Sequence, residues 1–122
     1  MYAPERHEPS TLGTLAFILW GLIVWGLQFT AVYVGHTWLC ALGASAAATG
    51  LLTALLTVLA VALILPVAVM PDRMAKTVGL RPADSNAAHI IVIARAVALL
   101  SIVAALWTGS TAVFLDPCAL GR

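Results

Sequence analysis

At 122 residues the chain has room for one domain and no separate soluble module. Its composition is 62% hydrophobic and 9% charged, with a mean hydropathy of +1.05, against about 45–50% and about 25% in soluble domains. That excludes a water-soluble monomer, and the net charge of +1 excludes a nucleic-acid binder, which needs a basic face able to displace several counterions.

Residues 1–9 are polar and carry Pro4 and Pro9, so they are expected to lie along lipid headgroups. Ser10 or Thr11 can cap the first helix by accepting a hydrogen bond from a free backbone N–H. The apolar run that follows, 12–34, exceeds the ~20 residues a helix needs to cross about 30 Å of hydrocarbon. A cleaved signal peptide would show a basic start, a shorter apolar core and a small-residue cleavage site. The mixed charge of 5–8 and the sequence His36-Thr37-Trp38-Leu39-Cys40 offer neither end of that pattern. The run is read as a retained helix over about 12–35.

An uncharged link, 37–43, leads to a second helix over about 44–70, with Pro66 one turn before its end, where it removes one backbone bond and favours a kink. The second link, 71–88, holds most of the charge. Within it, 72–78 forms an interfacial turn or two, capped by Asp72 and ended by Gly79. Met74 and Val78 are expected toward lipid, and Arg73 and Lys76 toward water. Asp84, Ser85 or Asn86 caps a third helix over about 89–115, which Asp116-Pro117 stops.

Orientation follows from the excess of Lys and Arg on cytoplasmic loops. Arg73, Lys76 and Arg81 sit in the second link and Arg95 just beyond, whereas the first link has neither Lys nor Arg. The expected fold is therefore an all-α membrane protein of three transmembrane helices, with the N-terminus and Arg6 cytoplasmic. The C-terminus is periplasmic, and Arg122 is the lone cation on that side. This topology puts Cys40 and Cys118 together on the oxidising side, where a disulfide persists. A Cys40–Cys118 bond joining the first and third helices is expected; the competing reading is two unpaired buried thiols. A metal or haem site on His36, Cys40 and Cys118 is the sharper alternative. It offers one imidazole and two thiols able to oxidise each other, short of a usual ligand set, so His36 is read first as an interfacial side chain beside Trp38.

Within the spans, Gln28 is expected to hydrogen-bond to a neighbouring helix, as glue within the bundle or as a contact to a partner. Arg95 is expected to snorkel to headgroups or to pair with Asp72, Asp84 or an acidic group on another protein. Trp20, Trp25, Phe29 and Tyr33 crowd the first helix, the last three spaced by four. They pack inside the bundle or lie against a partner, haem or pigment. Ala46, Gly50 and Ala54 form a small-residue ridge onto which those aromatics, or Ala94, Ala98 and Ala105 of the third helix, are expected to dock. No acidic residue falls in the three spans, so a proton-coupled pump, which needs intramembrane ionisable groups, and catalysis by this chain alone are not expected.

The string Leu19-Trp20, Trp25, Gln28-Phe29, Tyr33, His36 and Cys40, with the ending Leu115-Asp116-Pro117-Cys118, resembles a loose family of small bacterial inner-membrane proteins often encoded beside cytochrome oxidase genes. Many of its members carry histidine where Gln28 stands, so no role of that histidine transfers. The resemblance implies a non-catalytic accessory or assembly subunit of a larger respiratory membrane complex. Lipid would surround it, and any haem or pigment would be held by partner subunits. The alternative is a component of a small oligomeric transporter or channel.

Overall fold

The computed structural model describes residues 10–116, 118 and 119. The expectations for residues 1–9, Pro117 and Arg122 lie outside the described residues. Four helices make up the described chain: α1 Thr11–Ala41, α2 Ala46–Val69, α3 Pro71–Thr77 and α4 Ser85–Phe114. Three of them, α1, α2 and α4, are long and apolar enough to cross a membrane.

The ends of these helices follow from local chemistry. Ser10 and Ser45 adopt extended backbone and accept hydrogen bonds from Gly13 N–H and Ala48 N–H, capping α1 and α2. α1 runs six residues beyond the expected stop at Gly35. A glycine inside an apolar helix does not end it unless the chain there turns left-handed, which at the end of α1 happens at Gly43 (φ 74°) and not at Gly35. There Gly43 N–H donates to Cys40 O and Ala44 N–H to Leu39 O, the paired bonds of a left-handed helix terminus. Gly79 (φ 84°) closes α3 in the same way, with its own N–H on Lys76 O and Leu80 N–H on Ala75 O. Because α1 runs on, the link between α1 and α2 is only 42–45.

α3 departs from expectation on two points. Met70 occupies its cap position and Pro71 its first turn, where a missing N–H costs nothing; Asp72 therefore sits inside the first turn and is not the cap. Met74 and Val78 pack against the core instead of facing lipid, flanking the buried Ala75 and Leu80. Arg73 and Lys76 are exposed, as is Arg81. At the start of α4, Asp84 holds the cap position by its backbone, but its side chain makes no capping bond.

Each long helix packs against the other two. α1 and α2 run antiparallel, since residue numbers fall on one as they rise on the other through the pairs Trp20–Leu63, Gln28–Thr57 and His36–Thr53. The Cys40–Cys118 disulfide, with Cα atoms 5.4 Å apart, brings the C-terminal ends of α1 and α4 together, so those two helices are parallel.

The core is a stripe from each helix. α1 contributes Phe17, Gly21, Val24, Gln28 and Val32. α2 contributes Thr49, Thr53, Ala60, Ile64, Val67 and Ala68. α4 contributes Ala87, Ile91, Ala94, Ala98, Ser101 and Ala105. Steps of three and four, and one of seven on α2, keep each stripe on one helical face, which widens at Val67 and Ala68. Gly21 lets α1 and α4 touch: a Cβ there would lie 2.8 Å from Ser101 Oγ and 3.0 Å from the Ala98 Cα.

Candidate functional site

Polar groups inside an apolar bundle must find partners, because hydrocarbon offers none. Their pairing here locates a built polar feature inside the bundle. Gln28, 4% exposed, donates through Nε2 to Thr57 Oγ1 on α2 (3.0 Å) and to Ala105 O on α4 (3.3 Å). One carboxamide therefore ties three helices. The Thr57 hydroxyl gives its own hydrogen to Thr53 O, and Ala105 O can only accept, so the amide nitrogen must face both. Gln28 Oε1 is then left buried without a partner. Such an orphan acceptor costs on the order of 1–3 kcal/mol and offsets much of what the two donated bonds contribute.

Nearer the disulfide, His36 Nε2 lies 2.8 Å from Thr53 Oγ1. Thr53 donates to Thr49 O and Thr49 to Ala46 O. With its hydrogen so placed, Thr53 receives the His36 Nε2–H, an assignment made from the hydrogen-bond network. Thr49, Thr53 and Thr57 thus form a face of period four on α2, each hydroxyl satisfied by its own helix and each oxygen still able to accept. Thr53 and Thr57 stand beside the expected small-residue ridge in the sequence, but the pattern Thr49-Thr53-Thr57 is the signal that marks the true packing face.

The aromatics divide. Trp25 packs against the core and donates through Nε1 to Thr108 Oγ1 (3.2 Å). Trp20 lies at the lipid boundary and donates to Leu63 O (2.9 Å). That carbonyl lies beside Ala62 O, which Pro66 cannot serve because proline has no N–H. Phe29 stays in tilted contact with Trp25, ring centroids 6.1 Å apart, yet it is 53% exposed, and Tyr33 is 69% exposed. The period-four spacing made one stripe of Trp25, Phe29 and Tyr33, but each step of four advances 40° around a helix, enough to carry Tyr33 off the core. Trp38 is exposed as well.

The small-residue ridge is not where the helices meet. Ala46 and Ala54 are exposed, Gly50 is half-buried, and a Cβ at Gly50 would meet nothing within 4 Å. The close contact uses Ala98 and Ser101 of α4 against Gly21 of α1 instead. Arg95 is exposed on α4, and among the described residues it is not paired with Asp72 or Asp84. Cys40 and Cys118 are bonded to each other and so are not thiolate ligands beside His36. Among the described residues no group of three or more His, Cys, Asp or Glu side chains is placed to hold a metal ion.

Finally, His36, Ala46, Thr49, Ala112, Val113, Phe114, Leu115 and Asp116 line a half-open cavity of about 310 Å³ at the disulfide end. The sequence marked Asp116 as a helix stop and as part of the Leu115-Asp116-Pro117-Cys118 ending, not as a site residue.

Fold and site together define a multi-pass membrane protein: three spanning helices held by an internal polar tie and one disulfide. Comparison of the chain with protein-family models, curated proteins and solved structures found no match.

Proposed function

We propose that the protein is a non-catalytic accessory or assembly subunit that packs into a larger integral membrane complex of the bacterial inner membrane. Its N-terminus would be cytoplasmic and its disulfide end periplasmic. The observation that carries this reading is the outward placement of the surfaces best suited to packing. Ala46 and Ala54 are exposed, Gly50 is half-buried with open space where a Cβ would stand, and Phe29 and Tyr33 are exposed. Small residues let a neighbouring helix approach closely and gain dispersion contacts that lipid chains give less well. Arg73, Lys76, Arg81 and Arg95 are exposed at or beyond the opposite end, suited to phosphate headgroups or to an acidic partner surface. The respiratory, cytochrome oxidase-like character of the complex rests on the resemblance of α1 and the C-terminal tail alone. In this reading any haem belongs to partner subunits.

The test is purification of the tagged chain from its native membrane in mild detergent, followed by native gels. Co-migration with haem-bearing subunits, lost in Gly50→Leu, is the expected result. A symmetric homo-oligomer free of partners would overturn it and favour the transporter or channel reading. One feature supports that second reading: the polar residues Gln28, Thr53, Thr57 and His36 gather along the bundle interior. Every threonine hydroxyl among them is spent on its own backbone, which makes the column a tie and not a path.

A further inference from the structure

The cavity at the disulfide end has a consistent chemistry. Its side-chain polar groups are all acceptors. His36 uses Nε2–H on Thr53, which leaves Nδ1 a bare acceptor. Thr49 spends its hydroxyl hydrogen on Ala46 O, leaving lone pairs. Asp116 contributes a carboxylate, of which Oδ1 takes the Cys118 N–H (3.1 Å). One wall is Ala112, Val113 and Phe114, the last three residues of α4. Leu115 N–H bonds to Thr111 O, so the carbonyls after Thr111 form the open, electronegative end of a helix. The side chains of Val113, Phe114 and Leu115 make the same side apolar and are exposed at the bundle surface.

Acceptors at one end and apolar surface at the other call for a ligand with a cationic, multiply donating head on a nonpolar body. A bare metal ion fits poorly. One imidazole and one carboxylate are too few ligands, and about 310 Å³ is roughly ten times the share of one water molecule. The volume is at the lower end for an organic ligand, about 300 Å³. We propose that this cavity binds a protonated primary amine carried on an apolar body, its N–H groups shared among Asp116, His36 Nδ1 and Thr49 Oγ1. Two sources carry that chemistry: the ethanolamine headgroup of an aminophospholipid in the adjacent leaflet, and a free alkylamine. The disulfide matters to the site because Cys118 N–H holds the Asp116 carboxylate, and Cys40 anchors Cys118 to the helix that bears His36.

The experiment uses the full oxidised chain in detergent and native mass spectrometry with phosphatidylethanolamine, phosphatidylcholine and phosphatidylglycerol of identical acyl chains. Phosphatidylcholine keeps the positive charge but has no N–H to donate. Phosphatidylethanolamine should be retained about tenfold over the other two, the value of one charge-assisted hydrogen bond. Asp116→Asn should abolish that preference. Thr49→Val, which keeps shape and deletes only a hydroxyl already bonded within its own helix, should reduce it by a smaller factor. Octylamine added as competitor separates the sources: displacement of the lipid at similar concentration assigns the site to amines in general, and failure to displace assigns it to the lipid. Equal retention of the three headgroups by the wild-type chain would overturn the proposal, as would an undiminished preference in Asp116→Asn with disulfide and melting temperature intact.

Discussion

Two ridges of small residues run along this molecule, and only one holds it together. On α4, Ala94, Ala98, Ser101 and Ala105 are buried, and Ala98 and Ser101 meet Gly21 of α1. On α2, Ala46, Gly50 and Ala54 repeat just as regularly, yet Ala46 and Ala54 are exposed and a Cβ at Gly50 would meet nothing within 4 Å. The difference lies in what else each helix carries. α2 has an alternative face of threonines and branched residues that accepts hydrogen bonds from Gln28 and His36. Turning that face inward satisfies buried polar groups, and the alanine–glycine ridge is rotated out as a consequence. A small-residue ridge therefore marks a place where helices can approach, while the polar groups decide which ridge is used.

The largest break in the comparison comes from filling the ridge in use. Gly21→Leu drives a side chain into the Ala98 backbone and should destabilise the bundle by about 3 kcal/mol, the upper end for overpacking, read as a lowered melting temperature in detergent. Unchanged melting would mean that α1 and α4 do not pack through Gly21. Next is the covalent tie beside that interface. Cys118→Ser should cost about 2 kcal/mol, the low end for a disulfide because inserted helices already confine the unfolded chain. The same variant should abolish the mobility shift that the wild type shows between reducing and non-reducing gels.

Smaller effects test the polar partners that chose between the ridges. Trp20→Phe removes one indole hydrogen bond, the second that Leu63 O accepts, about 1 kcal/mol, measurable by the same melts. Gln28→Leu should cost less than about 1 kcal/mol: two donated bonds disappear, but so does the orphaned Oε1. A loss well above that would show that the acceptor has a partner. At the small end, Gly50→Leu should leave the isolated chain's melting unchanged and act only on assembly with a partner, the reverse of Gly21→Leu.

Much of the architecture is legible in the chain itself. The run lengths set three crossings, and the cap at Ser10 was legible as one of two candidates, whereas the cap at Ser45 was not read from the sequence. Gly79 was legible as a stop because polar residues flank it. Gly43 was not, since apolar Trp38, Leu39 and Cys40 hide the true end of α1. The pairing of Cys40 with Cys118 followed from the number of crossings, which carried both to one end. Gln28 was legible as a tie because an isolated amide in hydrocarbon has few alternatives; its partners Thr57 and Ala105 were not. The rotation of Met74 and Val78 into the core depends on how α3 folds back over α2 and α4, which composition does not encode.

Hydropathy acts on each segment alone, so the sequence by itself determined how many helices are long and apolar enough to cross, but not all of their ends: α1 runs six residues past its expected stop and α4 begins four residues before its expected start. It also determined that two sulfurs share a compartment. The rotation of each helix about its own axis depends on shape and hydrogen-bond partners supplied by the other two. Only the tertiary structure could decide that Ala94, Ala98 and Ala105 of α4 are inside while Ala46 and Ala54 of α2 are exposed, that Tyr33 lies on the outer surface of the bundle, and that His36, Thr49 and Asp116 border one cavity.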